Sequence, residues 1–167
     1  MGNAKDVALD HESRLVEDDH QAVRLWLRLL TCTNLIEARL RSRLRDEFAT
    51  TLPRFDFMAQ LERASNGLTM GELSRRMMVS GGNISGIALQ LEGEGLIHRE
   101  PVPDNRRSYC VRLTELGHSV FAKMAARHES WIGSMLGQLS ADDVDQLMNL
   151  LREVKVGVAH AEEGKAD

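Results

Sequence analysis

From Asp19 to Glu47 the sequence runs without a single proline or glycine, and its apolar residues recur at helical spacing. One stripe is Ala22, Trp26, Leu29, Ile36, Leu40 and Leu44; a second is Val23, Leu27 and Leu30. Intervals of three, four and seven predict a helix that is apolar on more than one side. A helix of about 28 residues is roughly 42 Å long at 1.5 Å per residue. That is more than a small monomeric domain can cover, so part of this helix is expected to meet a partner subunit. The chain has 167 residues, enough for one domain with extensions. Aromatics make up only 4% and prolines number three, which argues against an aromatic-rich β-sandwich. No window approaches the roughly 18 apolar residues of a membrane span, and the acidic N-terminus does not read as a secretory signal. Cys32 and Cys110, far apart, make no disulfide framework and suit a reducing cytoplasm.

The remaining elements follow from caps and breakers. Residues 1–18 lack apolar periodicity and read as a mobile acidic arm. Pro53 suits the first turn of a second helix carrying Phe57, Met58 and Leu61 and stopping near Ser65-Asn66-Gly67. Thr69 and Glu72 form a capping box that opens a short helix with Leu73 and Met77. Val79-Ser80-Gly81-Gly82 reads as a turn, and a helix over about 82–93 follows, with Ile84, Ala88 and Leu91 on one face and Gly93 and Gly95 ending it. Residues 98–113 alternate as two strands about Pro103-Asp104-Asn105, a β-hairpin with arginines at its tip. Thr114 caps a helix over about 115–137, and Ser140 to Asp143 caps another with Val144, Leu147, Met148, Leu151 and Val154. The expected fold is mainly α with a small β-hairpin. Residues 49–114 are expected to form a winged helix-turn-helix, two short helices and a tight turn followed by the hairpin, 19–48 and 115–156 a helical region that pairs with a second subunit, and 157–167 a polar tail.

The net charge of −4 is unevenly spread. Residues 1–20 hold two basic and six acidic groups, residues 21–112 fourteen and ten, and residues 113–167 five and nine. All the basic groups in the middle block are arginine. Local potential, rather than net charge, decides whether a polyanion docks, so a basic middle permits DNA binding; solvated helix faces are the bland alternative. The helix after the Ser-Gly-Gly turn strengthens the case. Opposite its apolar face lie Gly82, Ser85 and Gly86, flanked by Asn83 and Gln90. Small groups let a helix backbone enter the major groove, where Asn and Gln can read adenine and Ser can reach bases or phosphates. Leu89 also falls outward, which is explained only if it meets a thymine methyl or another element. The helix N-terminus at Ser80 favours a phosphate oxygen. Arg75 and Arg76 suit phosphate contacts, and Arg106 and Arg107 suit a narrow minor groove. The alternative for any one arginine is a surface ion pair, such as Arg99 with Glu100 or Asp104.

These residues resemble the multiple antibiotic resistance regulator (MarR) family. The likeness rests on Thr69-Met-Gly-Glu-Leu-Ser, on Gly82 to Ile97, and on Asn105-Arg-Arg-Ser-Tyr-Cys-Val-Arg-Leu-Thr-Glu-Leu-Gly, and it extends over about residues 20–155. It implies a homodimer with interlocked terminal helices and two reading heads on a pseudo-palindromic operator in double-stranded DNA. Arg107 matches the family's DNA-contacting wing position, although Asn105 stands where the family usually has Asp. The run from Thr50 to Leu61 and the Met-Val-Ser-Gly-Gly-Asn turn look like regulators of hydroxycinnamate and related aromatic-acid breakdown. That likeness implies a repressor released by a small effector, an aromatic acid or its CoA thioester. The family places the effector pocket between the long helices and the reading head, with Arg24, Trp26, Arg28, Phe48 and His118 as candidate lining residues. Rival readings are a redox-sensing regulator acting through Cys32 and a helical protein-interaction module. Neither cysteine has a CxxC partner, and a buried structural thiol is the expected state of each. The six histidines show no metal-ligand spacing. There is no Ser-His-Asp arrangement, phosphate loop or paired-carboxylate site, so neither an enzyme nor a cofactor is expected.

Overall fold

The computed structural model describes residues 20–102 and 105–163. The expected mobile arm therefore lies outside the described residues, as do Pro103 and Asp104. Six helices and three strands follow in the order α1 (Gln21–Phe48), α2 (Leu52–Glu62), β1 (Leu68–Thr69), α3 (Met70–Met77), α4 (Gly81–Gly93), β2 (Ile97–Val102), β3 (Asn105–Leu113), α5 (Glu115–Leu136) and α6 (Ala141–Glu163). The chain divides into two units, Met1–Glu129 and Ser130–Asp167, with the division inside α5. Among the described residues no helix is long and apolar enough to cross a membrane.

In the first unit the helix-turn-helix builds the core. Leu73 of α3, Ile84, Ala88 and Leu91 of α4, and Phe57, Met58 and Leu61 of α2 are all buried, together with Val111 of β3. The strands form one antiparallel sheet in the order β1-β3-β2. Ile97 pairs with Leu113 and Arg99 with Val111 across the hairpin. Leu68 and Thr69 pair with Val111 and Cys110 on its other side. The third strand, β1, is an addition to the expected hairpin. Gly67 makes it possible: it holds φ +75°, and a Cβ there would sit 2.6 Å from the Val111 carbonyl oxygen. Only glycine adopts that conformation with the strand so close.

The start of α5 is locked to the hairpin and to α2. The Thr114 N–H donates to the Leu96 carbonyl (3.0 Å), its hydroxyl donates to the Gly95 carbonyl (2.7 Å), and the Gly117 N–H donates to that hydroxyl oxygen (3.0 Å). Thr114 is thus an N-cap that also ties two elements together. Farther along α5, Phe121 and His128 both stack on Phe55 of α2, at centroid distances of 5.4 and 4.7 Å. Arg127 grips Glu47 of α1 through two hydrogen bonds of 2.8 and 2.9 Å, the bidentate geometry that makes Arg–carboxylate pairs strong. Burial among these rings lowers the pKa of His128.

Two expectations are corrected, at the turn before α4 and at the C-terminal tail. Along α1, Leu40 and Leu44 are the buried members of the two apolar stripes, whereas Val23, Trp26 and Leu30 are exposed within one chain, as are Leu25 and Leu35 outside the stripes. Periodicity reports a helix and its apolar faces but not what covers them. The turn before α4 does not rely on Gly81 and Gly82, which are already helical. Instead Met78 takes the left-handed conformation (φ +54°), and the Val79 and Met78 N–H groups donate back to the Ser74 and Arg75 carbonyls, closing α3 with a Schellman motif. Finally, α6 runs to Glu163, so residues 157–163 of the expected polar tail are helical; the alanines and glutamates after Gly157 are good helix formers. The second unit contains the end of α5 and all of α6. Trp131 is buried there, whereas Val144, Leu147, Met148, Leu150, Leu151, Val154, Val156 and Val158 are exposed along α6. A capping box opens α6: the Ser140 hydroxyl donates to Asp143 (2.6 Å) and accepts from its N–H (3.2 Å).

Candidate nucleic-acid interface

The candidate reading surface is set by α3, the turn and α4. Thr69 starts α3 with the expected capping box. Its hydroxyl accepts from the Glu72 N–H (3.3 Å), and its N–H donates to the Glu72 carboxylate (2.8 Å). That backbone donor, with the Thr69 hydroxyl, holds Glu72 below its ordinary pKa. The Ser74 hydroxyl donates to the Val79 carbonyl (2.6 Å), so the turn is fastened from inside. Arg75 and Arg76 are exposed in the last turn of α3. Ser80 is the N-cap of α4, is exposed and makes no side-chain capping bond.

Along α4, Ile84, Ala88 and Leu91 are buried while Gly82, Asn83, Ser85, Gly86, Leu89 and Gln90 are exposed. The wheel expected from sequence is the one the helix adopts. The Ser85 hydroxyl donates to the Gly81 carbonyl (2.9 Å), so that oxygen faces outward as an acceptor with its proton already committed. No Cβ added at Gly81, Gly82 or Gly86 would meet anything within 4 Å. These glycines are not needed for packing inside the chain, and their small size keeps the outer face low.

The hairpin attaches to the C-terminal end of α4. Arg99 of β2 pairs with Glu92 of α4 and lies 6.0 Å from the centroid of the Tyr109 ring. The Arg99 hydrogen bond lowers the Glu92 pKa. Arg99 is thus ion-paired, as the alternative reading of the arginines allowed, but with Glu92 and not with Glu100, which faces His98 at 3.3 Å; Asp104 lies outside the described residues. The reason is register: Arg99 alternates away from Glu100 on a strand, which turns it towards α4. Arg54 of α2 pairs with Glu94, the C-cap of α4, so two charged pairs anchor one helix end. Neither was legible from sequence, because each joins different elements. Arg106 and Arg107 are the second and third residues of β3, after the irregular register at Pro101 and Val102.

The candidate effector residues are spread along the fold. Arg24 and Arg28 line a depression of about 450 Å³ with Gln21, Ala22 and Leu25 on α1, and Trp26 on the same helix is 58% exposed. Phe48 ends α1, twenty residues and roughly 30 Å along the axis from Arg28. His118 of α5 contacts Glu62 of α2 through Nδ1 at 2.6 Å. Within one chain these five side chains are not gathered in one place. Cys32 is exposed rather than buried, and Cys110 is half-buried with its thiol donating to the Asn66 carbonyl (3.3 Å). Among the described residues no three metal-ligating side chains cluster.

Comparison with known proteins agrees with this architecture. The MarR family profile matches residues 50–109. The transcriptional activatory protein BadR of Rhodopseudomonas palustris is 28% identical over 148 residues, covering 87% of this chain and 84% of BadR. Sco3205 of Streptomyces coelicolor, a MarR family transcriptional regulator solved in complex with DNA, superposes with a TM-score of 0.73 at 21% identity, over 86% of this chain and 94% of that one. A MarR family transcriptional regulator from Silicibacter pomeroyi superposes with a TM-score of 0.72 at 30% identity, over 85% of this chain and 99% of its own. With that identity sustained along nearly the whole of a relative, on a winged helix-turn-helix built from the same elements, the chain belongs to the MarR family of transcriptional regulators.

Proposed function

We propose that this protein is a homodimeric, sequence-specific DNA-binding repressor, released from its operator by an aromatic acid or an aromatic acyl-CoA. The observation that carries the DNA-binding reading is the outer face of α4, low and polar at Gly82, Asn83, Ser85, Gly86 and Gln90, beside exposed Arg75 and Arg76. In this reading α4 enters the major groove with its N-terminus at Ser80 against a phosphate. Asn83 and Gln90 read base edges, Arg75 and Arg76 hold phosphates, and Arg106 and Arg107 reach the minor groove. The dimer reading is supported by the apolar residues exposed on α1 and, separately, on α6. The effector reading is supported by the paired arginines Arg24 and Arg28 in the α1 depression, suited to a carboxylate or a CoA phosphate. BadR's name makes it an activatory protein, which favours activation as the second reading.

The test is selection of duplexes from a random pool, followed by gel shifts. The wild type should enrich an inverted repeat with half-sites about 34–36 Å apart and bind it with a Kd of roughly 10⁻⁸ M or below. Arg107→Ala should weaken all sequences alike, while Asn83→Ala should relax preference at one half-site position. Failure to enrich any sequence would leave the protein-interaction reading in its place. A promoter fusion separates repression from activation, and thermal shifts with aromatic acids and their CoA thioesters test the effector class.

A further inference from the structure

The outer face of α4 carries one side chain that its neighbours do not explain. Leu89 is 65% exposed, although a leucine on a solvent-facing helix gains nothing from water. At about 100° per residue, Leu89 projects between Ser85 and Gly82, well away from the stripe of Ile84, Ala88 and Leu91. Its helical neighbours on that face are Ser85 at i−4, Gly86 at i−3, Gly82 at i−7 and Gly93 at i+4. Each is glycine or serine, so Leu89 is an isolated apolar knob standing above a low floor. Glu92, at i+3, is turned to Arg99 and does not cover it.

We infer that Leu89 is a specificity-determining residue that packs against the 5-methyl group of a thymine in the major groove. The inference rests on the DNA-binding reading above and adds a base preference to it. Three features select this occupant. The knob is continuous with the face that carries Asn83, Ser85 and Gln90. The low floor lets the helix axis come close, and among the exposed side chains of that face, Asn83, Ser85, Leu89 and Gln90, Leu89 is the apolar one that reaches outward beyond a serine. The thymine methyl is the apolar group on a base edge in that groove, and Leu89 is the matching apolar group on the helix. A second protein as the occupant would need a wider apolar patch than one leucine among glycines.

The experiment uses the full-length protein and its selected operator. Each thymine of one half-site is replaced in turn by deoxyuridine, which lacks only the 5-methyl group, and Kd is measured for wild type and Leu89→Ala. Losing one buried methyl contact corresponds to about a fourfold weakening. One position should therefore weaken wild-type binding about fourfold and leave Leu89→Ala binding unchanged. Leu89→Ala should itself bind the thymine operator about fourfold more weakly, and the uracil operator as the wild type does. Circular dichroism should show an unchanged fold, because Leu89 is outside the core. Equal losses in both proteins at every position, or no loss at any, would overturn the inference while leaving the DNA-binding reading intact. Failure of the wild type to select DNA would instead overturn the reading on which it rests.

Discussion

Gly117→Ala should destabilise the protein severely even though it replaces a helical glycine with the best helix former. A Cβ at Gly117 would lie 2.0 Å from the Leu96 carbonyl oxygen, 3.0 Å from its carbon and 3.3 Å from Leu113 Cδ2. A carbon normally stays about 3.3 Å or more from a carbonyl oxygen, so backbone has to move by roughly 1.3 Å. Overpacking of this kind costs about 3 kcal/mol at the upper end of the usual range. The same carbonyl accepts the Thr114 N–H at 3.0 Å, and disturbing that bond adds about 1 kcal/mol. Helix propensity returns up to about 1 kcal/mol. The net loss is about 3 kcal/mol, or a Tm lower by roughly 6–12 °C at this chain length. The control is Gly86→Ala in the middle of α4, where an added Cβ meets nothing within 4 Å; it should gain up to about 1 kcal/mol. Urea and thermal unfolding at one fixed protein concentration measure both. If Gly117→Ala matched Gly86→Ala in sign, the close approach of α5 to the Leu96 carbonyl would be refuted.

Further outcomes are expected at four residues. Burial lowers the His128 pKa, so its contribution is present above the unfolded value near 6.5 and is lost as pH falls through the folded value; His128→Phe should lose less Tm than wild type between pH 7.5 and 5.5, and parallel losses would discount the ring stack. Thr69→Ala should cost about 1 kcal/mol. The Glu72 pKa is depressed chiefly by the Thr69 backbone donor, so its stabilisation is present above the unfolded carboxylate value and fades as pH falls through the folded one; Glu72→Gln should flatten that acid limb in a pH series of melts. Met78, 93% exposed at φ +54°, loses little packing on truncation. Met78→Gly should be neutral or up to about 1 kcal/mol more stable, and Met78→Val should be less stable than wild type; the reverse order would place Met78 outside the left-handed region.

The elements that sequence reveals best here are those whose signals are local. The Thr69–Glu72 and Ser140–Asp143 capping boxes, Pro53 at the start of α2 and the buried face of α4 are each written within one turn or one wheel of residues. What stayed hidden depends on contacts between segments. Two-residue β1 has no periodicity to display, and only the Gly67 turn brings it to β3. The adjacent Gly81-Gly82 drew attention from Met78, because left-handed backbone is expected of glycine; Ser74 and Val79 instead fasten a turn that imposes it on methionine. Arg99 had acidic neighbours in sequence, and the hairpin register sent it to Glu92. For the candidate interface, the residues on the face of α4 were legible from helical spacing, whereas the committed proton of Ser85 was not. The proposed effector residues on α1 remained scattered, because periodicity alone does not say which helical face meets which neighbour.

Arg54 and Phe55 are consecutive residues of α2 with separate obligations: Arg54 grips the cap of α4 through Glu94, and Phe55 carries the ring stack from α5. A roll of α2 about its own axis cannot disturb one without the other, since about 100° of helix separates them and both are fixed. The short helix is therefore pinned in its roll by two adjacent residues, one held by α4 and the other by α5.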